Sequence, residues 1–147
     1  MSTVRFYLVR HAKAEPGDPK GDAARRLTPE GRERFAAHAV ATAPRLALSR
    51  IVTSPLHRAR ETGDLLAAAT RAPVEAEEAL APGASSGRAL LELGKRLGAG
   101  VALVGHNPEL AEAVSLAAER DVDLKTGAIA AVDAVEGLFR LAWIEAP

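Results

Sequence analysis

The stretch YLVRHAKAE, residues 7–15, runs an apolar segment straight into charge. Phe6-Tyr7-Leu8-Val9 is a strand-like run, and it ends abruptly in Arg10-His11, followed by Lys13 and Glu15. A near-continuous apolar run marks a strand covered on both faces, as in a parallel sheet flanked by helices. In open sheets of that kind the ligand crevice lies outside the carboxyl ends of the strands. This junction therefore predicts an α/β fold with its chemistry at the strand ends.

The rest of the chain alternates accordingly. Val4 to Val9 reads as the first strand, and residues 12–26, with Pro16, Gly17, Pro19 and Gly21, as a loop. Thr28-Pro29-Glu30-Gly31 opens a helix, with Thr28 as N-cap and Pro29 at the first helical position; it runs to about Ala43 and stops at Pro44. Arg50 to Thr53 is a short strand, and Ser54-Pro55 repeats the cap-and-proline start for a helix to about Ala69. Pro73 to Ala76 is a candidate third strand, residues 80–87 a second loop and Arg88 to Leu97 a helix. Val101 to Val104 is a buried strand, after which Asn107-Pro108 starts a helix to about Ala118. Ala128 to Val135 and Leu138 to Ile144 pair across Glu136-Gly137 as a hairpin. This order predicts a three-layer α/β/α sandwich with a mostly parallel sheet and a C-terminal hairpin. No linker or low-complexity tract divides it, so residues 1–147 are expected to form one domain.

Bulk properties narrow the function. A chain of 147 residues can bury roughly two-thirds of its unfolded surface in one core. Basic and acidic residues both number 19, so no net field favours nucleic acid or an anionic membrane, and anion recognition has to be local. Zero Cys excludes disulfides, thiolate metal sites and a Cys nucleophile. No apolar run approaches the roughly 20 residues that span a bilayer. The first strand starts too early to leave room for a signal peptide. A cytoplasmic enzyme or binding domain is the expectation.

Two strands end alike: Leu8-Val9-Arg10-His11 and Leu103-Val104-Gly105-His106. If they are neighbours, the two imidazoles face each other across the crevice. The helix after Ser54 carries His57, Arg58 and Arg60 in its first turn. A helix N-terminus favours anions and disfavours cations, so basic groups gathered there call for something negative among them. Arg10 points to the same region. Guanidiniums and imidazoles at a crevice rim describe a site for a dianionic tetrahedral group, most simply phosphate, which arginine holds in a bidentate fork.

These residues carry a family resemblance. Arg10-His11 after the first strand resembles the signature of the histidine phosphatase superfamily, which has the phosphoglycerate mutase-like fold. Arg25-Arg26-Leu27-Thr28-Pro29-Glu30-Gly31 resembles its R-x-L-T-x-x-G element, and Ser54 to Thr62 its S-x-x-x-R-A-x-x-T element. Gly105-His106-Asn107-Pro108 is similar to the segment of its second histidine, and Thr126-Gly127-Ala128 to the turn before its last strands. The short length resembles the SixA-type phosphohistidine phosphatases.

The resemblance implies phosphoryl transfer through a phosphohistidine intermediate, with no cofactor and no metal. It implies His11 as nucleophile, Arg10 and Arg58 as clamps on the phosphoryl oxygens, and His106, preferably as imidazolium, as a further donor. Arg25 reaches the phosphate from the loop or is a solvated cation. His57 and Arg60 fall off the family's catalytic positions, and His38 is expected to be a bystander inside a helix. Opposite protonation states of His11 and His106 predict a bell-shaped pH profile between roughly pH 5 and 8.

Two departures shape the substrate reading. Ala12 follows the nucleophile position where the family often has Gly, so that turn must suit a Cβ. Larger members place a general acid after the third strand; here Ala79 stands at the alignable position, with Glu75, Glu77 and Glu78 nearby and Glu15 or Asp18 in the first loop. Without an acid an alkoxide is a poor leaving group, since general acid catalysis is worth about 10²–10⁴-fold. A phosphoramidate can take its proton from solvent and leave as neutral imidazole. Together with the short second loop, this favours a phosphohistidine protein as partner. The alternatives are a small phosphomonoester substrate or a phosphate-binding module without turnover.

Overall fold

The computed structural model describes residues 2–147. Six strands form one sheet in the order β3-β2-β4-β1-β5-β6. They are β1 (Thr3–Arg10), β2 (Arg50–Thr53), β3 (Val74–Ala76), β4 (Val101–Gly105), β5 (Ile129–Val135) and β6 (Leu138–Glu145). The first four in spatial order pair in parallel, and β1–β5 and β5–β6 are antiparallel. The helices are α1 (Pro29–Thr42), α2 (His57–Thr70), α3 (Gly87–Leu97) and α4 (Glu109–Ala118).

The apolar run of β1 is buried because it separates two cores. Phe6 and Leu8 face one side, among Leu90, Leu91 and Leu93 of α3 and Leu110 and Val114 of α4. Tyr7 and Val9 face the other, among Phe35 and Ala39 of α1 and Ala59 and Leu66 of α2. This is the expected α/β/α sandwich. The terminal hairpin turns at Glu136 and Gly137, whose φ values of 49° and 81° match a type I′ turn.

Two glycines admit close approach. Gly94 of α3 lies flat on the Phe6 ring, and Gly31 of α1 lies on the Lys13 carbonyl, each where a Cβ would collide. The second contact seats the start of α1 beside the turn that follows His11.

Helix starts agree with the sequence in one place and depart in another. Thr28 Oγ1 accepts from Gly31 N–H at 2.9 Å with Pro29 at the first helical position. Ser54-Pro55, in contrast, does not cap α2. That helix begins at His57 after Leu56, which offers no side-chain cap. Ser54 instead prolongs β2, its N–H donating to the Val104 carbonyl at 2.9 Å, while its hydroxyl accepts from Leu56 N–H at 3.2 Å. The region expected as plain loop before α1 is also structured. Ala14 bridges Leu27, and Asp22–Ala24 forms a 3-10 turn. Glu61 of α2 accepts from Leu27 N–H at 2.9 Å, pinning this loop over the strand ends.

Candidate active site

The carboxyl ends of β1, β4 and β2 stand side by side, so the residues just past them converge. His11 N–H donates to Gly105 O at 3.0 Å, continuing the β1–β4 ladder by one step. The imidazoles of His11 and His106 are thereby brought to a centroid separation of 5.2 Å. Both residues are buried, at 8% and 4% exposure.

The turn at His11 is tied from three sides. Gly127 N–H donates to both the Arg10 and His11 carbonyls, each at 3.0 Å. Ala12 N–H donates to Thr62 Oγ1 at 3.0 Å, and that hydroxyl donates to Arg58 O at 2.8 Å. Ala12 is buried and has no left-handed φ, so the turn accepts its Cβ among the apolar residues of α1 and α2. The His11 ring bonds its own turn: Nδ1 lies 2.7 Å from Ala12 O.

The cations close on this point. Arg58, in the first turn of α2, is buried and donates through Nη1 to the Asp22 carbonyl at 2.9 Å. Its Nη2 lies 3.3 Å from the Asp22 carboxylate. Arg25 Nη1 lies 3.0 Å from the other Asp22 oxygen, and Arg25 Nε donates to Glu15 O at 2.7 Å. Arg10 donates through Nη1 to Leu124 O at 3.0 Å, an oxygen that also accepts from Asn107 Nδ2 at 3.0 Å. Two buried nitrogens of this group, Arg10 Nε and His106 Nδ1, have no partner. Leaving such atoms unpaired costs about 1–3 kcal/mol each, a penalty that an anion accepting from both would relieve.

Electrostatics set the protonation states. Burial lowers the His11 pKa to about 4; the Ala12 hydrogen bond opposes this, and Arg58, Arg10 and Arg25 add to it. Burial, followed by His11, Arg58 and Arg10, lowers His106 to about 3, with Asp22 pulling the other way. Both rings are therefore neutral near pH 7 in the free protein. The imidazolium expected at His106 is not its resting form, because a second cation among buried guanidiniums is unfavourable. Asp22 is held below the usual carboxylate range, chiefly by its hydrogen bond to Arg25.

This constellation coincides with a family match. The family model of the histidine phosphatase superfamily, branch 1, covers residues 6–135. The chain belongs to the histidine phosphatase superfamily. Its fold is similar to that of the SixA protein from Agrobacterium tumefaciens, with a TM-score of 0.86, 24% identity and 100% of both chains covered. A protein histidine phosphatase SixA complexed with tungstate matches at a TM-score of 0.84 and 24% identity, over 97% of each chain. A phosphoserine phosphatase from Entamoeba histolytica, complexed with phosphoserine, matches at 0.71 and 17% identity over 95% of each chain. No curated protein matches the sequence.

Within this member of the superfamily, the structure brings together His11, His106, Arg10 and Arg58, with Arg25 at the outer edge through Asp22. His57 and Arg60 are exposed, and His57 pairs with Glu61 at 3.3 Å. Three of the carboxylates expected as acids have other partners. Glu77 Oε2 accepts from Ala79 N–H, Asp18 Oδ1 from Lys20 N–H, and Glu75 pairs with Arg50. Glu78 is exposed at the start of a 3-10 turn, and Glu15 engages Arg25 through its backbone carbonyl.

Sequence reading missed two groups, Asp22 and Ser54 in its actual role. Asp22 had a faint signal, a carboxylate three residues before Arg25, which is the spacing of a side-chain pair on one turn. Ser54 had a misleading one, since Ser-Pro reads as a helix start. Its fully buried hydroxyl lies 2.7 Å from His106 Nε2.

Proposed function

We propose that this chain is a phosphohistidine phosphatase, one domain over residues 1–147 acting in the cytoplasm on a phosphorylated protein. The observation that carries the reading is the His11 ring. A carbonyl only accepts, so the 2.7 Å contact with Ala12 O puts the ring proton on Nδ1 and leaves Nε2 as a free lone pair. A neutral, oriented imidazole beside two guanidiniums is a nucleophile for phosphorus.

In the first step Nε2 attacks the phosphoryl group in line. The bond from phosphorus to the substrate nitrogen breaks as that nitrogen takes a proton from solvent, and neutral imidazole leaves. In the second step water attacks, the bond to Nε2 breaks, and inorganic phosphate departs. While His11 carries the phosphoryl group its ring is cationic, and the Ala12 carbonyl stabilises the Nδ1–H end. Arg10 and Arg58 hold the equatorial oxygens, where the transition-state charge lies. His106 donates beside them, and Arg25 supports the rim through Asp22. Charge neutralisation by arginine gives a metal-independent reaction.

The choice of phosphoramidate rests on the carboxylates. Asp22 is the one beside the arginines, and they hold it ionised, so it has no proton to give an alkoxide. An imidazole leaving group needs none from the protein. The link between β3 and α3 holds one 3-10 turn, Glu78–Leu80, and no lid, which leaves room for a protein surface. The likeness to a phosphoserine phosphatase favours a second reading, a small-molecule phosphomonoesterase. A phosphate-binding module would have little use for the His11 geometry.

A panel measuring phosphate release from a phosphohistidine protein beside common monoesters tests this. Faster release from the phosphohistidine protein is expected; preference for a monoester would transfer the site to the second reading. His11→Ala should abolish release while leaving the fold intact. Alkaline quenching should trap the phosphoenzyme and acid should not, and label on any residue other than His11 would exclude this nucleophile.

A further inference from the structure

His106 Nε2 and Ser54 Oγ lie 2.7 Å apart, and both side chains are buried. Ser54 Oγ already accepts from Leu56 N–H, so the hydroxyl has one hydrogen to place. Among the described hydrogen bonds the His106 ring nitrogen is its only acceptor. Each tautomer leaves one buried hydrogen without an acceptor in the free protein: the serine O–H if Nε2 carries the ring proton, the ring N–H if Nδ1 carries it. A phosphoryl oxygen accepting from Nδ1 satisfies both hydrogens in the second tautomer alone, with the hydroxyl donating to Nε2.

We propose that Ser54 is a positioning residue that locks His106 in its Nδ1–H tautomer, so that a neutral imidazole can donate a hydrogen bond to the phosphoryl group. The role rests on the phosphoryl-transfer reading given above. It explains how His106 can serve an anion without being an imidazolium. Burial and the neighbouring cations hold the ring neutral, and a neutral ring is a donor at one nitrogen only. In the other tautomer Nδ1 would turn a lone pair toward the phosphoryl oxygens and repel them. The lock spans two strand ends, β2 and β4, and neither helix of the site is involved.

The test joins a spectroscopic readout to binding. In protein labelled at histidine and saturated with inorganic phosphate, the ring nitrogen shifts of His106 should report Nδ1–H in the wild type and a change toward Nε2–H in Ser54→Ala. Affinity for inorganic phosphate should fall about tenfold to a hundredfold in that variant, with the His11 tautomer unchanged. Ser54→Thr, which keeps the hydroxyl, should restore both. A wild-type ring protonated on Nε2, or a Ser54→Ala protein with unaltered tautomer and phosphate affinity, would overturn the proposal. If Ser54→Ala does not fold, the wild-type tautomer decides alone. Failure of the phosphohistidine reading would look different: wild-type protein would hold phosphate with His106 as Nδ1–H yet release none from phosphohistidine.

Discussion

Arg58 and Arg60 stand two positions apart at the start of α2, and the helix turns them to opposite fates. Arg58 is buried against the site and Arg60 is exposed to solvent. Lysine keeps the charge but loses the planar fork. Arg58→Lys should lower kcat/KM by about 10²–10³-fold, the usual loss for a donor to transition-state charge, whereas Arg60→Lys should be nearly silent in the same assay. Equal effects would mean that the clamp is elsewhere. The histidines set the pH response. With His11 held near 4 and His106 near 3, neither imidazole of the site titrates between pH 6 and 8 in the free protein. The bell expected from sequence is thus replaced by a single acid limb. Corrected for the substrate's own titration, kcat/KM should fall as pH drops from about 5 toward 3 and stay level above 6.

At the level of elements, the site is as stable as the packing of α2 and α3 on the sheet. Gly94 lets α3 lie directly on the Phe6 ring in the core below β1. Adding a methyl there forces ring or helix to move, and overpacking of this kind costs about 1–3 kcal/mol. Gly94→Ala should therefore lower the urea midpoint while the folded fraction keeps its activity, because the contact lies on the sheet face opposite α1 and α2. A parallel loss of kcat would show that α3 also positions the strand ends. The loop before α1 is the other element at stake. It hangs on the Glu61 carboxylate, which binds Leu27 N–H and Arg32, so Glu61→Ala should release Asp22 and Arg25 and raise KM.

For the whole molecule, two imidazoles buried as neutral rings link folding to pH. Their folded pKa values, about 4 and about 3, lie below the ordinary 6.5. Between those limits the unfolded chain binds more protons than the folded one, so stability rises with pH across this window and is lost as pH falls through it. Above about 6.5 the contribution is flat. Denaturation scans should show the midpoint dropping from pH 6.5 to 4, and His11→Gln should flatten that slope. Bound phosphate or tungstate should raise the melting temperature, since an anion that selects the folded site stabilises it by mass action. EDTA should change neither stability nor turnover; loss of activity restored by a divalent ion would rule out charge neutralisation by arginine alone.

The layers and the location of the chemistry are written in local sequence. The run Phe6 to Val9 is apolar at every position because both faces of β1 are covered, and that burial is written residue by residue. The Thr28-Pro29 start of α1 and the Glu136-Gly137 turn were legible for the same reason, since caps and turns depend on a few adjacent residues. Arg10, His11 and His106 were legible because strand ends in such a sheet all face one crevice. Which side chains touch across that crevice depends on how the strands and loops pack. Ser54 and His106 are 52 positions apart, and Asp22 and Arg58 are 36 apart. Their meeting depends on the strand order β2-β4-β1 and on the loop pinned by Glu61. Periodicity records which side of an element is buried, and carries no signal for which strand lies next to which. The tautomer and charge of the two histidines follow from those contacts, so they too were fixed by the fold.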